Sequence, residues 1–331
     1  MLTLPRFAWS RPATLAEALA LLAAHPGECL VVAGGTDAVP NLKHGLHEPR
    51  RIVHLGGIAE LRGLVLDANG LQAGALVTLT ELATHAGVRA ALPGLAAAAA
   101  AVASPQIRNM GTIGGNLCLD TRCTYYNQTY FWREALGFCL KKDGTRCHVV
   151  PQGKRCVAAH SSDVAPMWIA LGASVEIAAT DGALRTLDVD AFFVGDGVHN
   201  NVLQPGELVT RVRVPAESLA LRTAYRKLRP RAAIDFPMLS VAVAGRLDAA
   251  GAVEQLRIVV GALGAKPRLL GGLDALAHGR PWTAALAEAV GAAAHKQCHP
   301  LSNVPYDTDW RRDMVPVFVK RALADALGSP A

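Results

Sequence analysis

The N-terminal part of the chain alternates between a helical hydrophobic pattern and short apolar runs. Apolar residues recur with helical spacing over 15–25, and Thr14 with the acidic residue three positions later predicts a capping box at the start of this helix. The apolar run at 29–33 then predicts a buried strand. Gly34 and Gly35 follow it directly, so the strand is expected to end in a tight turn.

The remaining pattern predicts an α+β protein that ends in an antiparallel sheet with helices on one face. The elements expected in the middle of the chain are a strand at 52–55, a helical turn at 58–61, a helix opening near Thr80, an alanine-rich helix at 95–103 and a strand at 208–214. The segment before that last strand, 184–207, has little helical period. After that strand come three more strands, two of them joined by a turn at 249–251, and three helices.

Composition limits the classes of function. The 331 residues are 51% apolar, which suits about two globular domains. We expect a cytoplasmic protein outside the membrane, because no run of about 18 uncharged apolar residues occurs and the N-terminal residues lack a signal-peptide core. The net charge of +6 is not gathered in one basic run, so no nucleic-acid partner is expected.

Cysteines concentrate in one stretch, 112–166, which holds five of the seven in the chain. Cys123, Cys139, Cys147 and Cys156 follow one another at intervals of 16, 8 and 9. None of these intervals is the compact CxxC of ferredoxins or zinc ribbons. The residues alone are therefore equally compatible with free buried thiols, a zinc site and an iron–sulfur cluster.

Two glycine turns precede these cysteines, AGGTD at 33–37 and TIGGN at 112–116. Without a Cβ, such turns can direct successive amide N–H groups toward an anion, and a diphosphate is the expected guest. Taken alone, each is also compatible with an ordinary strand-to-loop turn.

These turns, together with SDVAP at 162–166, resemble the flavin-binding signature of the medium, FAD-binding subunits of the xanthine dehydrogenase family. The resemblance implies a PCMH-type FAD-binding domain of two α/β subdomains over 1–217 and a C-terminal α+β domain of the CO dehydrogenase flavoprotein type over 218–331. It implies these FAD contacts: Val32, Ala33, Gly34, Gly35, Thr36, Asp37, Thr112, Gly114, Gly115, Asn116, Asp163, Val209 and Lys227. Val209 is equally compatible with a plain core position.

The chain departs from that family at one place. Family members join GGN to the SDxxP motif by a handful of residues, whereas 46 residues separate Asn116 from Asp163 here. The insertion, 117–161, is similar to that of the flavin subunits of 4-hydroxybenzoyl-CoA reductases, which carry a 4Fe-4S cluster. This resemblance implies the ligands Cys123, Cys139, Cys147 and Cys156. Five basic residues of the insertion would offset the cluster's negative charge or form a solvated loop: Lys141, Lys142, Arg146, Lys154 and Arg155.

The other cysteines and two histidines have simpler interpretations. Cys118 is expected to pack near the flavin, Cys29 to lie in the core and Cys298 to mark a helix end at the surface. His148 and His160 are potential hydrogen-bond donors near the cysteines rather than ligands.

The resemblance implies an electron-transfer subunit with no catalytic residues of its own. Electrons would pass from a low-potential donor such as ferredoxin to the 4Fe-4S cluster, to FAD, and then to the partners, a small 2Fe-2S subunit and a large molybdenum subunit. The expected assembly is a dimer of heterotrimers. Its expected reaction is the reductive dehydroxylation of a phenolic CoA thioester in aromatic degradation. The alternatives are the FAD subunit of an oxidative molybdenum hydroxylase and a zinc-stabilised binding module without redox function.

Overall fold

A computed structural model describes residues 2–330 as an α+β protein. Its strands are β1 (Ala8–Ser10), β2 (Cys29–Val32), β3 (Arg51–His54), β4 (Leu64–Asp67), β5 (Gly70–Gly74), β6 (Ser174–Ala178), β7 (Leu184–Asp188), β8 (Leu208–Pro215), β9 (Arg222–Leu228), β10 (Leu239–Leu247), β11 (Val253–Gly261) and β12 (Arg268–Leu269). Its helices are α1 (Leu15–Ala24), α2 (Ala38–Lys43), α3 (Leu79–Thr84), α4 (Ala86–Ala91), α5 (Pro93–Ala100), α6 (Pro105–Met110), α7 (Ile113–Leu117), α8 (Tyr130–Ala135), α9 (Ala165–Ala170), α10 (Val189–Phe192), α11 (Leu273–Ala277), α12 (Ala284–Gln297) and α13 (Thr308–Leu327). Short 3-10 helices occupy Leu55–Gly57, Ala59–Leu61 and Ala216–Ala220.

The first subdomain is a parallel sheet with strand order β1-β3-β2 and α1 beside it. The predicted capping box at the start of α1 is half formed. Thr14 Oγ1 accepts the N–H of Glu17 at 3.1 Å, but the Glu17 carboxylate accepts the N–H of Ala13 at 2.7 Å instead of that of Thr14. The helix therefore begins where predicted, although its cap differs in one bond.

The second subdomain is an antiparallel sheet of strand order β4-β5-β8-β6-β7. Its central strand, β8, pairs with β5 on one side and β6 on the other, so Val212 lies between Ala73 and Val175. The segment 184–207, which has little helical period, forms β7 and the four-residue helix α10 in its first part. Because β7 is an exposed edge strand, it lacks the apolar alternation that reveals a half-buried one.

The C-terminal sheet is antiparallel, with order β12-β11-β10-β9. As predicted, the turn at 249–251 joins its two longest strands, β10 and β11. Helix α13 packs on β9 and β10, and α12 packs against α13. Cys298 ends α12 but is buried, so its predicted surface position is wrong: its side chain packs in the core that these helices make with the sheet.

The N-terminal and C-terminal parts of the chain share a hydrophobic core. Trp168 of α9 is fully buried in a cluster that also contains Ala242 of β10 and Val259 of β11. This packing fixes the segment 162–166, at the start of α9, against the C-terminal sheet. Within residues 2–330, no helix has both the length and the apolar character needed to cross a bilayer.

Candidate functional site

A cavity of about 520 Å³ lies between the two glycine turns, the base of the insertion and a loop of the C-terminal domain. Its size is that of a typical cofactor or ligand pocket. Ten of the thirteen predicted FAD contacts line it: Val32, Ala33, Gly34, Gly35, Thr36, Asp37, Thr112, Gly115, Asn116 and Asp163. The lining does not include Gly114, Val209 or Lys227.

The first glycine turn can receive an anion. Gly35 has a φ of +71°, and a Cβ on Gly34 would overlap the carbonyl group of Met110, so each position requires glycine. Within residues 2–330, the amide N–H groups of Gly34, Gly35 and Thr36 have no hydrogen-bond acceptor. These amides border the cavity, and unpaired amides of this kind fit the diphosphate of FAD.

The second glycine turn differs from the expected arrangement. Its amides are already bonded: Ile113 N–H donates to Val77 O at 2.9 Å, Gly114 N–H to Ala75 O at 2.8 Å, and Gly115 N–H to Thr112 Oγ1 at 3.1 Å. Gly114 is required by its packing, because a Cβ there would lie 2.8 Å from the Cβ of Ala75. The turn therefore shapes the cavity wall but does not offer a row of free donors.

Asp163 lines the cavity, and two side chains of β9 fix its carboxylate by hydrogen bonds. Its carboxylate accepts the Tyr225 hydroxyl at 2.6 Å and the Lys227 ammonium at 2.7 Å. Burial raises the pKa of Asp163, while Lys227 and Tyr225 act to lower it. Lys227 also donates to Ala101 O at 3.1 Å, so it positions Asp163 and does not itself border the cavity.

Val209 lies in the sheet core. It belongs to β8, pairs with Ile177 and packs in the cluster around Trp168. The structure therefore places Val209 at the plain core position that the sequence left open.

Arg122 borders the cavity and was missed from the sequence. Its guanidinium pairs with Asp37 of the first turn and lies over the ring of Phe236, with 4.5 Å from Cζ to the ring centroid. Its backbone forms a two-bond bridge with Ala159, of 2.8 and 2.7 Å, which closes the base of the insertion. Other lining residues outside the prediction include Cys118, Asp120, His47, Asn200 and Ile234. The one sequence signal for Arg122 was its position beside Cys123.

The four cysteines of the predicted ligand set line a second, smaller cavity. Cys139, Cys147 and Cys156 are buried, and burial raises the pKa of Cys123 to about 11. Backbone N–H groups donate to sulfur at two positions, Val150 to Cys147 Sγ and Ala158 to Cys156 Sγ, both at 3.4 Å. Such N–H···S bonds stabilise thiolates and tune cluster potentials.

The donor set consists of four thiols, a set that suits either an iron–sulfur cluster or a zinc ion. Within residues 2–330, no three His, Cys, Asp or Glu side chains come close enough together to hold one ion. The free space among the cysteines is about 10 Å³, room for one water molecule, so binding a cluster requires the cavity walls to move apart.

The structure also locates two of the other cysteines and the two histidines. Cys118 borders the larger cavity as predicted, and burial raises its pKa to about 12. Cys29 is half-buried. His148 lines the cysteine cavity and its Nε2 lies 2.5 Å from Phe138 O, whereas His160 packs edge-on against Phe193, at 4.6 Å between centroids.

Comparisons with known proteins agree with this geometry. The family described as FAD binding domain in molybdopterin dehydrogenase matches residues 5–217, and the CO dehydrogenase flavoprotein C-terminal domain matches residues 223–326. The aldehyde oxidoreductase FAD-binding subunit PaoB of Escherichia coli (strain K12) is 34% identical, over 97% of each chain. The carbon monoxide dehydrogenase medium chain of Hydrogenophaga pseudoflava is 28% identical, over 96% of each.

A solved structure has the same fold. Carbon monoxide dehydrogenase from Hydrogenophaga pseudoflava, in a form lacking the Mo-pyranopterin moiety, superposes with a TM-score of 0.81 and 27% identity, over 99% of this chain and 100% of that one. The chain therefore belongs to the FAD-binding medium subunits of the xanthine dehydrogenase and CO dehydrogenase family, and FAD is its cofactor.

Proposed function

We propose that this chain is the electron-transfer subunit of a molybdenum enzyme and that it holds a 4Fe-4S cluster in addition to FAD. One observation supports the proposal. The same cavity is lined by four cysteines that are spread over the insertion, Cys123, Cys139, Cys147 and Cys156. Four thiolates are the usual ligand set of such a cluster. FAD transfers electrons in either one- or two-electron steps, and the cluster would transfer them singly.

The residues of the chain bind and orient the cofactors. The free amides of the first glycine turn would hold the FAD diphosphate, Asp163 would border the flavin, and Arg122 would close the cavity against Phe236. No residue of this chain is assigned a role in substrate chemistry. That chemistry belongs to partners, a large molybdenum subunit and a small 2Fe-2S subunit, in keeping with the name medium chain given to the carbon monoxide dehydrogenase relative.

Two reactions are candidates for the assembled enzyme. The oxidative one, conversion of an aldehyde to a carboxylate, is favoured by the full-length identity of 34% to the aldehyde oxidoreductase subunit. Electrons would then leave through this chain to an acceptor. The reductive one, dehydroxylation of a phenolic CoA thioester with electrons from a donor such as ferredoxin, is favoured by the resemblance of the insertion to that of 4-hydroxybenzoyl-CoA reductases.

Analysis of the anaerobically purified complex tests the cofactor content. We expect FAD bands, a broad iron–sulfur absorbance and about four irons with four acid-labile sulfides per chain beyond those of the small subunit. Zinc without sulfide would support the zinc-stabilised module instead. Absence of both metals from the chain would leave a flavin subunit without a cluster and contradict the proposal.

Turnover assays separate the two reactions. One arm supplies aromatic aldehydes with an artificial electron acceptor, and the other supplies 4-hydroxybenzoyl-CoA with a reduced viologen. Acceptor reduction in the first arm alone supports the oxidative enzyme. Viologen oxidation in the second arm alone supports the reductive one.

A further inference from the structure

One ion pair touches both cavities. Asp120 lines the larger cavity, and its Oδ1 accepts a hydrogen bond from Lys141 Nζ at 2.6 Å. Lys141 lines the cysteine cavity. The two side chains therefore form a partition between the place of the flavin and the place of the cluster.

The partition is buried and closely bonded. Lys141 has a side chain 5% exposed, and its ammonium also donates to Gly197 O at 2.7 Å and lies 4.3 Å from the centre of the Tyr126 ring. The Tyr126 hydroxyl donates to the second oxygen of Asp120 at 2.9 Å. His47 Nε2 lies 3.7 Å from that same oxygen and lines the flavin cavity. With these bonds, the Lys141 ammonium cannot swing into solvent without leaving several buried acceptors unpaired.

Lys141 differs from the other basic residues of the insertion. Lys142, its neighbour in sequence, is 31% exposed, pairs with Asp143 at 3.2 Å and lines neither cavity. The remaining three, Arg146, Lys154 and Arg155, are exposed and also absent from both linings. Their charges are screened by water, whereas that of Lys141 acts through the protein interior.

We propose that Lys141 and Asp120 set the reduction potential of the cluster, with Lys141 favouring its reduced form and Asp120 opposing it. The inference rests on the proposed 4Fe-4S cluster. One electron entering the cluster adds one negative charge and breaks no bond, so a fixed cation beside it stabilises the reduced state. Asp120, which pairs with Lys141 and also borders the flavin cavity, reduces this effect.

The test is a potentiometric titration of the purified complex, followed by the electron paramagnetic resonance signal of the cluster. Lys141→Gln is expected to lower the midpoint potential, with about a tenfold smaller ratio of reduced to oxidised cluster at a fixed potential, which is 59 mV for a one-electron couple. Asp120→Asn is expected to raise it. The double variant is expected to return toward the parent value, and Lys142→Gln to remain at it.

A purely structural role would not give opposite shifts. Lys141→Arg keeps the charge, so its midpoint potential is expected to match that of the parent, whereas Lys141→Gln shifts it. If Lys141→Gln fails to assemble a cluster, Asp120→Asn supplies an independent measurement. If the parent contains iron and sulfide but both single variants keep its midpoint potential, the role of this pair is overturned and the proposed cluster stands. Absence of the cluster from the parent would overturn the proposed function and this role together.

Discussion

The guanidinium of Arg122 stacks on the ring of Phe236, at 4.5 Å from Cζ to the ring centroid. The two residues are more than a hundred positions apart, one at the base of the insertion and one in the C-terminal domain. Arg122 also pairs with Asp37 of the first glycine turn. Three separate segments are thus joined at one wall of the FAD cavity.

We therefore expect Arg122→Ala to weaken FAD binding. The variant removes a cation from the cavity and leaves the Asp37 carboxylate unpaired beside an anionic cofactor. The dissociation constant of FAD should rise about tenfold, the effect of losing one charge-assisted hydrogen bond. The fluorescence of FAD released from the protein measures this dissociation constant. Arg155→Ala, at an exposed position of the same insertion, should bind FAD as the parent does; equal affinity in all three proteins would contradict this role of Arg122.

The first glycine turn gives a second prediction. Gly34→Ala should abolish FAD retention, since the new Cβ would overlap the carbonyl of Met110 and displace the turn. Gly35→Val should do the same, because a β-branched residue is strained at a φ of +71°. Gly182→Ala is the matched control, since it also has a positive φ, +83°, but no atom within 4 Å of the new Cβ. It should cost about 1–2 kcal/mol of stability and keep FAD. The ratio of FAD to folded protein after gel filtration decides the matter.

The contrast between the two glycine turns shows what the sequence could and could not predict. Motif and flanking strand indicated the first turn correctly, because glycine at Gly34 and Gly35 is required by local backbone geometry. The second turn also carries a glycine pair, yet its amides donate to the carbonyl groups of Val77 and Ala75. Those acceptors depend on how distant strands pack, which local sequence does not record.

The same limit applies to the elements and contacts that were missed. Strand β7 carries polar residues on an exposed edge, so no apolar period marks it. Arg122 and Phe236 meet only after the insertion folds back on the C-terminal loop. By contrast, α1 and β8 were predicted nearly to their ends, because capping residues and apolar runs define them locally.

Lys227 and Asp163 give a prediction about stability and pH. Lys227→Met leaves a buried carboxylate without its cation and should cost about 3–5 kcal/mol at neutral pH. Removing Lys227 raises the folded-state pKa of Asp163 further above its ordinary 3.8, so the folded state binds the proton more tightly than the unfolded state. The variant should therefore lose stability as the pH rises above about 4, and its deficit should shrink in acid.

Urea unfolding of the FAD-free proteins at several pH values measures this deficit. Arg226→Met is the control, because Arg226 pairs with Asp325 at the surface and should contribute at most about 1 kcal/mol. Adding Asp163→Asn to Lys227→Met should restore part of the loss. A deficit that is equal at pH 4 and pH 7 would contradict the assigned cause.

Loss of the cluster should loosen the insertion. In the described segment 122–156 the one regular element is α8 (Tyr130–Ala135), so bonds from its four cysteines to a cluster would supply much of its order. Removing iron by oxidation and chelation should therefore make 122–156 sensitive to protease, while the hairpin turn at 249–251 is cleaved at an unchanged rate. Limited proteolysis with mass mapping of the fragments measures both. Equal protection of 122–156 before and after iron removal would show that the insertion is ordered without the metal.

The ligand set is the central claim, and electron paramagnetic resonance of dithionite-reduced cysteine variants tests it most directly. Alanine at Cys123, Cys139, Cys147 or Cys156 removes a thiolate, so each variant should lose the cluster signal and its iron. Cys118→Ala is the matched control: Cys118 lies in the same insertion but borders the FAD cavity, so its variant should keep the parent signal and about four irons. An unchanged signal in any one of the four alanine variants, or its loss in Cys118→Ala with the fold intact, would contradict the assignment.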